Sequence, residues 1–168
     1  MEVTEDKVAT PSAKYPFLVK ENVRILLEAY RDVHRRMFGF SWRKIFPFSL
    51  YYHRIDYTAY ARFLKEISQK LKEQQEACNH PSTPLETEEE KNFLFSLGLY
   101  ANLLQRSTEH LREIALQILD RTAWSEVKEE LNRYHESCSQ YTRQAKELNE
   151  KYIEMNRADQ ERAEKNSV

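Results

Sequence analysis

Cys78-Asn79-His80 and His135-Glu136-Ser137-Cys138 carry the residue types of two halves of a zinc site. Zinc holds such ligands about 2.0–2.3 Å from one point. An antiparallel turn near residue 122 brings position 138 level with position 106, while Cys78 precedes the third helix. At about 1.5 Å of rise per residue the two pairs stand roughly 25 Å apart. No metal is expected. His110 and His135 fall at nearly one level of the same hairpin, beside Glu109 and Glu113. The Glu-x-x-His pairs of di-iron bundles are absent, so solvated histidines flanking the seam are expected there.

Other catalytic chemistry lacks its residues. Gly39 and Gly98 are isolated, and neither builds a loop that cradles phosphate. No Gly-x-Ser-x-Gly elbow occurs, and neither cysteine has an evident activating neighbour. Arg106 and His110 share a helical face in the manner of some helical nucleases, but Glu109 and Glu113 dilute the positive charge. Neither an enzyme nor a cofactor is expected.

Binding chemistry is better represented. From His34 to Arg54 there is no acidic residue, and aromatics interleave with Arg35, Arg36, Trp42, Arg43, Lys44 and Arg54. Arginine with exposed aromatics suits nucleic acid, through phosphate pairing and base stacking. It equally suits an anionic membrane surface or an acidic protein. Against these stands a packing role, in which Phe38, Phe40, Trp42, Phe46 and Phe48 plug one bundle end. A second candidate lies between Asn92 and Gln105, where no residue is charged. There Phe95, Leu99 and Leu103 form a further apolar line beside the main seam, and Gly98 allows close approach of another helix, which a packed neighbour in the same chain explains as well as a dimer does. Extra apolar width of this kind favours self-association or a docked partner.

The elements that must position these groups are helices. Val19, Val23, Leu26, Tyr30, Val33 and Met37 recur at three- and four-residue spacing in a helix that begins near Pro16. Pro47 interrupts the connection that follows, where a short helical turn is expected. Asp56 is a candidate N-cap for a second stripe of Tyr57, Tyr60, Leu64, Ile67 and Leu71. Two prolines then make residues 79–84 a loop. Thr87 and Glu90 form a capping box before Phe93, Leu97, Tyr100, Leu104, Ser107, Leu111, Ile114 and Ile118. The longest seam runs Trp124, Val127, Leu131, Tyr134, Cys138, Tyr141, Ala145, Leu148, Tyr152 and Met155.

Composition agrees. The 168 residues contain 2 glycines and 32% charged side chains, which favours long helices over tight β connections. The expected fold is all-α: an antiparallel four-helix bundle with a long C-terminal helical hairpin. It spans 15–156 as one domain, between a flexible tail at 1–14 and a polar fraying tail at 157–168. A net charge of -1 offers no global attraction to nucleic acid. The N-terminus does not read as a signal peptide, no membrane span is present, and a reduced cytoplasmic setting is expected.

These observations predict a non-catalytic helical interaction module, such as a small subunit, adaptor or chaperone-like protein. A protein partner or homo-oligomer is expected, without integral membrane association. The alternative is a nucleic-acid-binding protein that uses the basic-aromatic segment 34–54. A third reading, an apolar or aromatic ligand held among the tyrosines, rests on their abundance alone.

Overall fold

A computed structural model of the chain describes residues 15–38, 56–85 and 87–166. They form four helices, α1 (Tyr15–Phe38), α2 (Tyr57–Asn79), α3 (Glu88–Leu119) and α4 (Trp124–Asn166), with no strand among them. The connection between α1 and α2, including Trp42, Arg43, Lys44 and Arg54, lies outside the described residues.

The caps form where the side chains predict them. The Asp56 side chain accepts from the Ala59 N–H, which satisfies a donor of the first turn of α2. Thr87 accepts from the Glu90 N–H, and Glu90 reaches back to the Thr87 N–H, so both halves of the capping box close. At the other end of α3, the Thr122 N–H reaches the Gln117 carbonyl and the Arg121 N–H reaches that of Ile118. This Schellman closure puts Arg121 at φ 55°, a conformation that costs a non-glycine residue roughly 1–2 kcal/mol. The reversal into α4 is therefore tight and defined.

Neighbouring helices run antiparallel. Tyr15 bonds the Ala77 carbonyl across α1 and α2, and Ser68 bonds Glu109 across α2 and α3. Ser107 meets Ser137 across α3 and α4, and Tyr30 meets Tyr134 across α1 and α4. An up-down-up-down bundle results, with α3 in backbone contact with all three other helices. That central place explains its breadth of burial. Besides the seam, α3 buries a second line at heptad spacing, Leu94, Ala101, Thr108 and Ala115. Gly98 is taken up inside the chain, since a Cβ built there would lie 3.1 Å from Cys78 Cβ on α2. Gly98 thus admits α2, not a partner helix.

Two expectations change at the bundle ends. Trp124 is 70% exposed and Ile118 is also open, although both continue the periodic seams. The reason is length. Phe38, the last residue of α1, packs its ring 5.9 Å from Tyr134, so Trp124 sits about 15 Å further along α4. At the opposite end α4 does not stop near Met155. It stays helical to Asn166, and Arg162 reaches back to Glu89 at 3.8 Å.

Candidate interaction surface and the buried polar rungs

The α4 seam is flanked by a buried polar line. Glu130, Ser137 and Gln144 recur every seven residues, and each has a partner on α3. His110 Nδ1 lies 2.5 Å from Glu130 Oε1, the Ser107 and Ser137 hydroxyls are 2.5 Å apart, and Gln144 donates to Ser96 at 3.2 Å. Unpaired, each group would oppose burial; paired, the three fix how α3 and α4 register against each other. His110 is therefore not the solvated flanking group that the sequence predicts. It is the partner of a carboxylate that is 6% exposed, with Arg133 3.3 Å from the same carboxylate. His135 does stay exposed, its ring 5.9 Å from that of Tyr134.

Between α3 and α4 His110 borders a groove of about 420 Å³ that Arg106, Glu109, Arg133, Glu136 and Gln140 help to line. Acids and bases alternate there, and Arg133 is already committed to Glu129 and Glu130. The groove gathers no excess of either charge.

Metal chemistry also takes a different geometry from the one predicted. Cys78 lies opposite Gly98, while the Ser107–Ser137 contact sets Cys138 level with about position 106, eight residues further along α3. The offset along the bundle is thus about 12 Å rather than roughly 25 Å. The separation still holds, because α2 and α4 occupy opposite corners of the bundle. Burial also pushes the Cys78 thiol up to about 12, which keeps it protonated at neutral pH. Among the described residues no group of three or more His, Cys, Asp or Glu side chains is placed to hold a metal.

The tyrosines join α1 to α4. Tyr30 and Tyr134 bring their hydroxyls to 2.7 Å, and His34 Nδ1 is 2.5 Å from that of Tyr134. Cys138 Sγ lies 3.5 Å from the Tyr30 hydroxyl. Burial raises both hydroxyls well above the usual tyrosine range. Burial, and then the nearby His135, lowers His34. A neutral His34 accepts from Tyr134, Tyr134 from Tyr30, and Tyr30 from the Cys138 thiol. Every group in that order is satisfied. Tyr141 packs edge-on to both Tyr30 and Tyr100. The rings fill the space among themselves, which leaves the tyrosine-lined ligand site without support.

Large apolar side chains are exposed at several points, among them Leu18 and Ile25 on α1 and Trp124 on α4, and α3 carries two on its outer face. Phe95 is 73% exposed and Leu99 is 43% exposed, one helical turn apart. Leu103 is half-buried, so two of the three predicted residues are exposed, Phe95 more than Leu99. Of the predicted anion-binding residues, Arg35 and Arg36 are exposed at the end of α1, and both pair with Asp32, at 2.6 and 3.6 Å. The other four lie outside the described residues. No described helix is long and apolar enough to cross a membrane. Neither a family model, nor a curated protein, nor a solved structure matches the chain.

Proposed function

We propose that this protein is a non-catalytic helical interaction module that works through the outer face of α3. The observation that carries this reading is the exposure of Phe95 and Leu99 on a helix whose inner faces are already filled. Leaving a large apolar side chain in water forgoes roughly 1.5–3 kcal/mol of burial. Two such residues in line, with no charge between positions 92 and 105, are chemistry suited to a covering surface. The basic-aromatic reading has less support, because Arg35 and Arg36 both engage Asp32.

Size exclusion with light scattering, run over a range of concentrations beside an apolar-dye titration, tests the proposal. The expected result is association or dye enhancement that Leu99→Glu removes. A strictly monomeric protein with no dye response contradicts it.

A further inference from the structure

The exposed line on α3 is chemically self-complementary. Glu88, Asn92, Phe95, Leu99, Asn102 and Arg106 are all exposed. At 100° per residue they fall within about 40° of one line over roughly 27 Å of helix. About a midpoint at position 97 they pair by chemistry: Phe95 with Leu99, Asn92 with Asn102, and the acid Glu88 with the base Arg106. Arg106 has no ion pair among the described residues, while Glu88 is 76% exposed and holds Lys91 at 2.5 Å through one carboxylate oxygen. An acid at one end and a base at the other oppose each other correctly in one arrangement only, an antiparallel one.

We propose that a second copy of the chain docks on this face, α3 against antiparallel α3, with Glu88 of each copy opposite Arg106 of the other. A two-fold axis through position 97 makes the contact isologous and closed, so it stops at a dimer. Phe95 and Leu99 of the two copies meet at the centre, where burial contributes most. The charged pairs at the rim set direction and register. About the same midpoint Glu109 and Glu113 are level with positions 85 and 81 of the other copy, before its α3 begins at Glu88. The proposal rests on the α3 face being an interaction surface, and it names the partner.

Sedimentation of charge-reversed variants tests it. Arg106→Glu places acid opposite acid at both rims, and Glu88→Arg places base opposite base. Each single variant is expected to dimerise about tenfold more weakly than wild type. Mixing the two single variants restores both pairs across a heterodimer, as does the double variant Glu88→Arg/Arg106→Glu across its own homodimer. Both positions are exposed; Glu88→Arg also removes a first-turn acid and its pair with Lys91, a small effect on stability at an exposed site, and circular dichroism checks that each variant folds. Wild-type protein that remains monomeric up to about 1 mM, the weak end of specific association, overturns the proposal. So does a dimer that both reversals leave intact, or one that mixing fails to restore. Monomeric protein whose apolar-dye response still disappears in Leu99→Glu would sink the second copy as partner and leave the interaction surface standing.

Discussion

Tyr134→Ala is expected to cost about 3–5 kcal/mol, the range for emptying a fully buried large aromatic position, and to loosen α1 before the rest. Tyr134 is completely buried, and it is where α1 and α4 are tied together: its hydroxyl serves Tyr30 and His34, and Phe38 packs against its ring. α1 and α4 make no close backbone approach of the kind α3 makes with its neighbours, so large side chains carry that contact. Tyr134→Phe keeps the ring and deletes the hydroxyl, and should cost only about 1 kcal/mol. Amide exchange checks the distribution. In the alanine variant, protection should fall further across 15–38 than across the centre of α3. Equal loss in both helices would show that α1 and α3 unfold as one unit and that the tyrosine layer has no local role.

The second large effect concerns the His110–Glu130 rung. His110→Leu leaves a nearly buried carboxylate with Arg133 alone, 3.3 Å away. Breaking a buried pair in this one-sided way costs about 3–5 kcal/mol. Because a third of the His110 side chain is exposed, about 2 kcal/mol is expected. The sign reverses when both partners go. His110→Leu with Glu130→Leu removes the stranded charge and should return the denaturation midpoint to wild type or above. A double variant worse than His110→Leu would mean that the pair is net stabilising beyond relieving its own burial. With a polar rung removed, α3 and α4 also have one fewer constraint on register, which the Ser107–Ser137 and Ser96–Gln144 rungs still supply.

Most of the architecture is legible from periodicity because a helix buries what repeats at its own period. All six stripe residues of α1 are buried, and both predicted N-caps close. What periodicity misses has a common cause. A single stripe is the pattern of a helix with one neighbour, whereas α3 touches three helices and α4 packs on two. Leu94, Ala101, Thr108 and Ala115 are therefore buried outside the predicted stripe, as are Glu130, Ser137 and Gln144. A signal for the polar line was present, since the three recur every seven residues beside an apolar seam. Polar identity alone reads as solvent, however, and only the facing helix supplies His110, Ser107 and Ser96. Trp124 fails in the opposite sense: its phase is right, but α1 ends before reaching it.

The candidate surface was partly legible. An uncharged stretch in a chain that is 32% charged points to Phe95 and Leu99, and Leu103 is lost from it because its phase turns it partly into the bundle. Gly98, which sequence offers as a point of helix approach, is consumed by Cys78. The self-complementary spacing of Glu88 and Arg106 requires knowing that the whole line is exposed, which the sequence alone does not establish.

The central proposal is that the outer face of α3 serves contact with another molecule and is not part of the chain's own core. Denaturant unfolding of Phe95→Glu/Leu99→Glu, at a concentration low enough that wild type is monomeric, tests this most directly. Surface positions change stability by about 0.5 kcal/mol or less, and the two curves should superimpose to within twice that. A loss of about 3 kcal/mol or more, the scale of a disrupted core, would mean that the bundle itself uses these residues and that no free face exists.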